Sequence, residues 1–302
     1  MEDLVIIGAG PAGLSAALYA SRAGAKVLIL DGGAPGGKMN LTAKIENYPG
    51  VIMQGPQLAY QMFEQATSFG AKLEYKMVTD IKDEGEIKKV YCDDEVIETK
   101  YVFIASGTKE RSMGLPDEEK LTGRGISYCA VCDGPFFKDE IIAVIGGGNS
   151  ALTEALYLAD IAREVHVIVR RDVFRADKIL VDRVNETSNI TIHFNKKPHA
   201  IKSQDDKVVG LEIIDSKTDE LETINLRGIF PFIGLDPITD FVKDLKITND
   251  KGYIEVNYNL ETKVKGIYAG GDVIVKELRQ VVTATRDGAI VGQKVADLIR
   301  NK

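Results

Sequence analysis

Two cysteines in the middle of the chain form its clearest chemical pattern. Cys129 and Cys132 are separated by two residues in the segment Cys-Ala-Val-Cys-Asp-Gly at 129–134. A closed zinc site would need two further soft ligands, but Cys92 is the only other cysteine and the three histidines are far away in sequence. Two unlinked structural cysteines are a further interpretation. The spacing is typical of an easily reduced disulfide, so redox chemistry is the interpretation we favour.

The residue after the second cysteine, Asp133, is a candidate general acid–base. In that role it protonates the thiolate that leaves during disulfide exchange. An ordinary turn carboxylate of the Asp-Gly type explains it almost equally well, and the sequence leaves both interpretations open. Cys92 lies in a strand segment of alternating polarity, which predicts an inert thiol that is either packed or half-buried.

A glycine-rich turn near the N-terminus predicts a dinucleotide site. Gly8, Gly10 and Gly13 have the G-x-G-x-x-G spacing, with an apolar strand before them and a helix of small residues after them. The first glycine allows the tight turn, the second lets the backbone approach a pyrophosphate, and the third permits close helix packing. Asp31 ends the next strand, at the spacing expected of a ribose-binding carboxylate. Such a carboxylate favours an unphosphorylated ribose, as in FAD or NAD.

A second glycine-rich turn, Gly-Gly-Gly-Asn-Ser-Ala at 146–151, also follows an apolar strand and precedes a helix. Two such turns imply two dinucleotides in one chain. Gly148, Asn149 and Ser150 are therefore predicted to bind the second one. Glu154 lies one turn into the helix and is a weaker candidate, for positioning the nicotinamide half, because an exposed helical glutamate is the commoner case.

Three arginines indicate which nucleotide the second turn binds. The strand after that turn ends in Arg170 and Arg171, with Arg175 a turn later, where the first site has a carboxylate. A 2′-phosphate needs cations where a 2′-hydroxyl needs an acceptor, so the pattern predicts NADPH over NADH. A basic, solvated helix start is the alternative explanation.

Composition narrows the class of protein. The 302 residues are enough for two domains of ordinary size. A formal net charge of -7 argues against a nucleic-acid partner, because phosphate backbones require a basic surface. The acidic start Met1-Glu2-Asp3 lacks the basic residues of a secretory signal, and no run approaches the ~20 apolar residues that span a bilayer. We therefore expect a cytoplasmic protein without a membrane partner.

The order of the motifs predicts that one domain is inserted into another. We expect the α/β class, with two Rossmann-like, three-layer (ββα) dinucleotide-binding domains. The first domain is predicted to be discontinuous, at 1–112 and 239–302, and the second, which carries the dithiol, is predicted at 113–238. Two segments of the first domain, 73–80 and 88–105, have alternating or β-branched patterns that predict a small antiparallel layer.

With these motifs the chain resembles the low-molecular-weight, bacterial-type thioredoxin reductases along essentially its whole length. The segments that carry the resemblance are Gly-Ala-Gly-Pro-Ala-Gly at 8–13, Glu-Asn-Tyr-Pro-Gly at 46–50, Cys-Ala-Val-Cys-Asp-Gly at 129–134, Gly-Gly-Gly-Asn-Ser-Ala at 146–151, Arg-Arg-Asp-Val-Phe-Arg at 170–175, Gly-Asp-Val at 271–273 and Arg-Gln at 279–280. The resemblance implies FAD in the discontinuous domain, NADPH in the inserted one, thioredoxin as the protein substrate, and a homodimer. The flavin site that it implies comprises Gly37, Lys38, Asn47, Gly107, Asp272, Arg279 and Gln280.

The resemblance also implies roles for the dithiol. Cys132 is expected to face the flavin, Cys129 to attack the thioredoxin disulfide, and Asp133 to act as the acid–base. Nicotinamide and dithiol belong to one domain but must reach the same flavin. If they compete for the same flavin face, that domain has to rotate between turnovers, and the resemblance implies the same rotation. Its hinges are predicted near 110–116 and 234–240.

Three positions depart from the family pattern. Lys38 stands where the family commonly has glutamine, which predicts a positive charge near the flavin or its phosphate. Val169 replaces a histidine before the arginine pair, which is expected to soften the NADPH preference without abolishing it. Arg286 stands where a smaller residue is usual, close to the expected flavin surroundings.

Other functions fit parts of this pattern. A reductase of another small redox protein, or the flavoprotein half of a peroxide-reducing system, would keep the chemistry and change the partner. The sequence shows no additional N-terminal dithiol domain, which argues against the peroxide-reducing form. A ferredoxin–NADP reductase of this architecture would not need Cys129 and Cys132. A non-catalytic redox sensor would bind both nucleotides but fail to turn over.

Overall fold

The protein forms two compact units. The computed structural model describes residues 1–42, 44–93 and 95–301. The first unit comprises Met1–Asn40, Lys44–Lys109 and the part of the chain from Asp236 onward, and the second is formed mainly by Glu110–Leu235. The chain therefore leaves the first unit, builds the second and returns. Which nucleotide each unit binds stays a prediction. The predicted domain boundaries, which were assigned to those nucleotides, also stay predictions.

Strands outnumber helices in the described residues, and several strands follow one another without a helix between them. Before the second unit the elements are β1 (Glu2–Ile7), α1 (Pro11–Arg22), β2 (Val27–Asp31), β3 (Ile45–Tyr48), β4 (Val51–Met53), α2 (Gly55–Thr67), β5 (Lys72–Tyr75), β6 (Val78–Glu84), β7 (Ile87–Cys92), β8 (Glu95–Ile104) and β9 (Thr108–Glu110). The second unit contains α3 (Glu118–Leu121), α4 (Ala130–Asp133), β10 (Ile141–Ile145), α5 (Asn149–Ala159), β11 (Glu164–Val169), α6 (Lys178–Glu186), β12 (Ile190–Phe194), β13 (Lys196–Gln204), β14 (Lys207–Asp215), β15 (Leu221–Asn225) and β16 (Gly228–Pro231). The remaining elements are β17 (Leu235–Pro237), β18 (Ile267–Ala269) and α7 (Val281–Arg300).

The first unit is built on a seven-stranded sheet whose parallel part contains β5, β2, β1, β8 and β18 in that order. Every residue of 4–7 and of 102–104 is buried. Such continuous apolar runs, without polar alternation, are typical of parallel strands that are covered on both faces. Because the strands are parallel, the carboxyl ends of β1, β2, β8 and β18 meet at one edge of the sheet.

The antiparallel layer predicted for 73–80 and 88–105 is partly wrong. β6, β7 and the first half of β8 do pair antiparallel. The segment 73–80, however, is divided between two strands, because β5 pairs parallel with β2 and β6 begins separately. Lys76 lies at the break and forms an ion pair of 2.7 Å with Glu74. An alternating pattern indicates which face of a strand is buried, but not which neighbour the strand pairs with.

The second unit combines a parallel sheet with an antiparallel one. The parallel sheet has the order β12-β11-β10-β16, and β13, β14 and β15 form a three-stranded antiparallel sheet. The segments β1-α1-β2 and β10-α5-β11 are thus two Rossmann-like βαβ units with parallel strand pairs, which confirms the predicted fold class. The two segments that join the units, β9 and β17, pair with each other.

The C-terminal helix α7 packs closely against α1 through glycines. A Cβ atom on Gly288 would lie 2.0 Å from the carbonyl oxygen of Ala12, and one on Gly292 would lie 2.5 Å from that of Ala16. Only a hydrogen atom fits at these positions, so the two helix backbones approach each other directly. In the described ranges no helix, α7 included, is long and apolar enough to cross a membrane.

We expect Gly288→Ala to destabilise the first unit by about 2 kcal/mol or more, because the added methyl group forces apart two helices in backbone contact. Lys294→Ala, at an exposed position of the same helix, is the control and should change the free energy of unfolding by less than about 0.5 kcal/mol. Urea unfolding followed by circular dichroism measures both variants. Equal unfolding free energies would contradict the close packing of α1 against α7.

Candidate nucleotide-binding and dithiol sites

The glycine-rich turn after β1 has the strand–turn–helix geometry that its spacing predicts. Gly8 has a φ of +106°, and a Cβ atom there would lie 2.3 Å from the carbonyl oxygen of Ala105. A Cβ atom on Gly13 would lie 1.9 Å from the carbonyl oxygen of Gly8, whereas one on Gly10 would meet nothing within 4 Å. Gly10 is the N-cap of α1. The open space therefore faces unpaired backbone N–H groups and the positive end of the helix dipole, which suits a pyrophosphate.

The carboxylate of Asp31 braces this turn from the end of β2. Its Oδ2 accepts a hydrogen bond of 2.6 Å from the N–H of Ala9, and its Oδ1 accepts one of 2.8 Å from the N–H of Gly33. Asp31 is half-buried. It lies beside the turn, where a ribose-binding carboxylate is expected, and it also holds the backbone of the turn in place.

Gly37 and Gly107, two further glycines of the predicted flavin site, lie at the same edge of the sheet. The N–H of Gly36 donates to the carbonyl oxygen of Ala9 at 2.7 Å, so the loop after β2 returns to the first turn. A Cβ atom on Gly37 would lie 3.4 Å from the Cα of Gly10. Gly107 follows β8 with a φ of +71° and has open space beside it. The loops after β1, β2 and β8 therefore border one region of the unit.

One hydrogen bond joins two predicted residues that are 233 positions apart in the chain. Asn47 donates from Nδ2 to Oε1 of Gln280 at 3.0 Å. Gln280 is also the N-cap of α7, within a capping box. Its neighbour Arg279 donates to the carbonyl oxygens of Asp272 and Ile274, both at 3.2 Å. The start of α7 thus brings together four residues that the resemblance assigns to the flavin site.

Asp272, after β18, is a largely buried carboxyl group near several cations. Burial raises its pKa, and the positive charges of Lys276, Lys38 and Arg279 act against that rise. The ammonium nitrogen of Lys38 is itself buried. The lysine that departs from the family pattern therefore places its charge close enough to influence Asp272.

Asp287 in α7 is a candidate that no motif of the sequence points to. It is 1% exposed, and its Oδ2 accepts hydrogen bonds from the N–H of Gly271, at 3.0 Å, and from Lys276. Its Oδ1 accepts one of 3.1 Å from Arg286, which explains how that unusual arginine is accommodated. Asp287 therefore holds the backbone immediately before Asp272. The sequence signal that could have identified Asp287 is a carboxylate on the apolar face of an amphipathic helix. A charge that is buried almost always has a partner, so such a carboxylate indicates a structural or binding role.

These features of the first unit fit a flavin dinucleotide. The open space at Gly10 lies at a helix N-terminus, and the carboxylate of Asp31 lies beside it. Asn47, Gln280 and the carboxyl group of Asp272 supply hydrogen-bonding groups within the same unit. Pyrophosphate, ribose and a polar chain therefore each have residues of suitable chemistry.

The second glycine-rich turn repeats the geometry of the first, after β10. Gly146 has a φ of +141°, and a Cβ atom on it would lie 2.4 Å from the carbonyl oxygen of Phe232. Gly148 is the N-cap of α5, and a Cβ atom on it would meet only the carbonyl oxygen of Arg175, at 4.0 Å. The N–H of Arg175 donates to the carbonyl oxygen of Gly147 at 2.7 Å. The basic segment after β11 is thereby tied to the turn.

The three predicted phosphate-binding arginines are exposed. Arg170, Arg171 and Arg175 form no ion pair with any residue that the structure describes. Their guanidinium groups are available to an anionic ligand. Ser150, in the first turn of α5, is exposed as well.

Asn149 has a role within the protein that the sequence did not predict. Its side chain donates to Oδ2 of Asp177 at 3.0 Å and accepts from the N–H of Asp177 at 2.7 Å. Asp177 is the N-cap of α6. The side chain of Asn149 therefore connects the second turn to the start of α6, while its backbone N–H remains at the N-terminus of α5.

Glu154 is not the exposed helical glutamate that was the commoner expectation. It is 6% exposed, because α5 turns it toward the same buried face as Ala151 and Ala155. Burial raises the pKa of Glu154 to about 7. Its Oε2 makes no hydrogen bond with the part of the chain that the structure describes. A buried carboxyl oxygen without a partner fits a group that receives one from a ligand.

Cys129 and Cys132 form a disulfide with 5.3 Å between their Cα atoms, so the interpretation as unlinked cysteines is wrong. Cys129 is half-buried and is the N-cap of α4, whereas Cys132 is exposed. The N–H of Cys132 donates to Sγ of Cys129 at 3.0 Å. Asp133 is half-buried, and its N–H donates to the carbonyl oxygen of Cys129 at 3.1 Å. Cys92 is fully buried and burial raises its pKa, as expected of a packed thiol.

Known proteins are similar to this chain in both sequence and fold. The family model described as pyridine nucleotide-disulphide oxidoreductase matches residues 2–288. The thioredoxin reductase of Bacillus subtilis (strain 168) is 43% identical over 97% of this chain and 93% of its own. The structure of Lactococcus lactis thioredoxin reductase, in the conformation named FR, is 42% identical over 100% of both chains, with a TM-score of 0.98. A ferredoxin-flavin thioredoxin reductase from Clostridium acetobutylicum is 28% identical over 100% of this chain and 99% of its own, with a TM-score of 0.54.

Two glycine-rich turns and one disulfide are the main features of the candidate site in this chain. Each turn follows a parallel strand and begins a helix, and the disulfide lies in the second unit. The matched family and the matched relatives both cover nearly the whole chain. The chain therefore belongs to the pyridine nucleotide-disulphide oxidoreductase family and, within it, to the thioredoxin reductases.

Proposed function

We propose that the protein reduces thioredoxin with electrons from NADPH, by way of FAD and the Cys129–Cys132 disulfide. The observation that carries the proposal is a disulfide in the same unit as a glycine-rich turn bordered by exposed arginines. FAD bound to the first unit would supply the two-electron redox chemistry that connects NADPH to a disulfide. The residues of the protein bind and orient the two nucleotides and handle the thiols and protons.

The first unit is proposed to bind FAD. The N–H groups around Gly10 receive the pyrophosphate, and the carboxylate of Asp31 accepts hydrogen bonds from the ribose hydroxyls. Lys38 contributes positive charge beside Asp272. The other proposed contacts are Gly8, Gly13, Gly37, Asn47, Gly107, Arg279 and Gln280.

The second unit is proposed to bind NADPH. The N-terminus of α5, from Gly148 to Ser150, receives the pyrophosphate, and the arginines at 170, 171 and 175 bind the 2′-phosphate. Glu154 positions the nicotinamide amide, which would satisfy its unpaired Oε2. A protein of similar fold is named a ferredoxin-flavin thioredoxin reductase, so the fold alone does not identify the electron donor. The exposed arginine cluster of this chain favours NADPH.

The two thiols are proposed to act in sequence after the disulfide is reduced. The thiolate of Cys129 attacks one sulfur of the thioredoxin disulfide, forming a mixed disulfide and releasing one thioredoxin thiolate. Cys132 then attacks Sγ of Cys129, which releases the second thioredoxin thiolate and restores the Cys129–Cys132 disulfide. Asp133 supplies the proton that a leaving thiolate takes up. The hydrogen bond from the N–H of Cys132 to Sγ of Cys129 stabilises negative charge on the attacking sulfur.

The test of the proposed function is NADPH oxidation with a panel of thioredoxins from the same cell. We expect turnover with at least one of them, and with a generic disulfide dye. Turnover with the dye but with none of the thioredoxins would indicate that the protein substrate is another small redox protein. Absence of turnover with every disulfide would favour a non-catalytic redox sensor. From the resemblance we also propose that the protein is a homodimer. Sedimentation velocity measures its oligomeric state.

We expect the purified protein to carry non-covalent FAD, because the turn at Gly10 and the carboxylate of Asp31 form a site for an unphosphorylated adenosine nucleotide. Denaturation followed by chromatography of the released cofactor identifies it. A bound NAD, or a colourless protein that takes up no FAD, would contradict the assignment.

We expect the double variant Arg170→Ala, Arg171→Ala to raise the Michaelis constant for NADPH at least about a hundredfold and to leave that for NADH nearly unchanged. Two lost charge-assisted hydrogen bonds of about 1.5 kcal/mol each correspond to a factor of this size. Arg163→Ala, an exposed arginine before β11, is the control. Equal losses with both coenzymes would show that the arginine pair stabilises the fold instead.

The two Cys→Ser variants should both lose thioredoxin reduction and should differ in colour. In Cys129→Ser, the thiolate of Cys132 is left to donate to the oxidised flavin, which predicts a long-wavelength charge-transfer band. Cys132→Ser should lack that band and should trap a mixed disulfide with thioredoxin, because the resolving thiol is gone. Absorption spectra and non-reducing gels measure both properties. A band in Cys132→Ser and not in Cys129→Ser would reverse the assignment, and full activity in either variant would remove the dithiol from the mechanism.

A further inference from the structure

A buried carboxylate near the start of the second unit takes no part in the chemistry described so far. Glu118, in α3, is 5% exposed. Its Oε1 accepts hydrogen bonds from the N–H of Met113 at 2.8 Å and from the hydroxyl of Tyr128 at 2.6 Å. Its Oε2 accepts from the N–H groups of Gly114 at 2.8 Å and Leu115 at 3.2 Å. Four donors therefore converge on one carboxylate.

The four donors come from two separate segments. A buried carboxylate is costly unless hydrogen bonds satisfy it, and hydrogen bonds to an ionised acceptor are stronger than neutral ones. Three of the donors are the consecutive backbone amides of 113–115, and the fourth is the side chain of Tyr128. Glu118 therefore fastens the segment that leads into the dithiol to the first residues of the second unit.

Tyr128 directly precedes Cys129, and the backbone around it is held on both sides. The N–H of Ser127 donates to the carbonyl oxygen of Ile229 at 3.0 Å. The N–H of Cys129 donates to Oγ of Ser127 at 3.1 Å. Ser127 is itself buried. The hydroxyl of Tyr128 adds a third attachment, through Glu118, immediately before the sulfur-bearing residue.

The position of the Cys129 backbone decides whether its sulfur keeps a hydrogen-bond donor. Sγ of Cys129 accepts from the N–H of Cys132 at 3.0 Å. A donor at this distance stabilises a thiolate and lowers the pKa of the thiol. Once the disulfide is reduced, the covalent link between the two sulfurs is gone. Only the folded backbone then keeps Sγ of Cys129 close to that N–H.

We propose that Glu118, acting through the hydroxyl of Tyr128, is a positioning residue for the attacking thiol of Cys129. The inference rests on the proposed function, since it assigns the Glu118–Tyr128 hydrogen bond to thiol–disulfide exchange. In the reduced protein this bond keeps Cys129 where the N–H of Cys132 stabilises its thiolate. Attack on a protein disulfide therefore depends on the bond, whereas hydride transfer from NADPH to the flavin does not.

The first test is Tyr128→Phe in the full-length holoprotein, which removes the hydroxyl and keeps the ring. We expect the second-order rate constant for thioredoxin reduction to fall about tenfold, because a misplaced reacting group loses rate steeply. Reduction of ferricyanide, which takes electrons from the flavin without the dithiol, should be unchanged. Equal losses in both assays would mean that the bond only stabilises the fold, and would overturn the proposal.

The second test measures the reactivity of Cys129 directly. In a Cys132→Ser background, Cys129 is alkylated with iodoacetamide over a range of pH, while Cys92 is protected by burial. Adding Tyr128→Phe should raise the midpoint of this pH profile by about one unit, since a weaker hydrogen bond to the thiolate raises the thiol pKa. An unchanged midpoint would overturn the proposal.

Matched variants separate the bond from general effects of mutation. Tyr157→Phe is the control for the tyrosine, because Tyr157 lies beside Gly134 and its hydroxyl makes no hydrogen bond with a described residue. Glu118→Gln should act in the same direction as Tyr128→Phe, and Glu119→Gln, at the exposed next position of α3, should have no effect. An effect of the same size in the control variants would contradict the proposal.

The two assays also distinguish this proposal from the proposed function. A wild-type protein that reduces ferricyanide but no thioredoxin would refute the proposed function. The pH profile of Cys129 alkylation would still decide whether Glu118 and Tyr128 set the reactivity of the thiol. A shifted profile would support the positioning role, and an unshifted one would refute it.

Discussion

Parallel pairing of β1 with its two neighbours is the constraint on which the first candidate nucleotide site depends. In the observed register Ile7, the last residue of β1, lies opposite Leu30 of β2 and Ile104 of β8. The residues that follow are thereby forced together at one edge of the sheet. The contact of Gly8 with Ala105 and the hydrogen bond between the first turn and the carboxylate at the end of β2 both follow from this register. A side chain at Gly8 would collide with the backbone that the pairing brings to it.

The second unit has the same backbone arrangement, with different side-chain chemistry at its candidate nucleotide site. Ile145 at the end of β10 lies opposite Ile168 of β11 and Pro231 of β16. Gly146 accordingly packs against the carbonyl oxygen of Phe232, as Gly8 does against its own neighbour. The two sites differ at the end of the second strand of each βαβ unit, which carries a carboxylate in the first and an arginine pair in the second. A single backbone arrangement can thus present an acceptor for a ribose hydroxyl or cations for a phosphate.

Buried carboxylates organise the loops around these sites. Asp287 accepts hydrogen bonds from the backbone before Asp272, and Glu118 accepts them from the backbone of 113–115 and from Tyr128. In each case a charge that would be costly to bury alone is satisfied by several donors. The donors include backbone N–H groups that would otherwise lack partners inside the protein. Such a carboxylate fixes a loop more specifically than apolar packing does, because hydrogen bonds require particular distances and directions.

Local sequence patterns were enough to predict the glycine-rich turns and the redox cysteine pair. A tight turn that approaches a phosphate needs glycine at fixed positions, so Gly8, Gly10 and Gly13 identify such a turn wherever strand and helix flank them. The spacing of Cys129 and Cys132 likewise restricts the pair to a short list of chemistries, from which the observed disulfide selects one. These features depend on neighbours in sequence, and that is why the amino-acid sequence by itself determined the fold class and the family.

Only the tertiary structure decided which distant residues meet. Asn47 and Gln280 are hydrogen-bonded across 233 positions, and no periodicity in either segment indicates the other. Helical periodicity likewise shows that a residue such as Glu154 can face inward, but not that its surroundings will leave one carboxyl oxygen without a partner. The physical reason is that a pattern of polar and apolar residues specifies a face of a helix or strand. The identity of the group packed against that face is set by the arrangement of the whole unit.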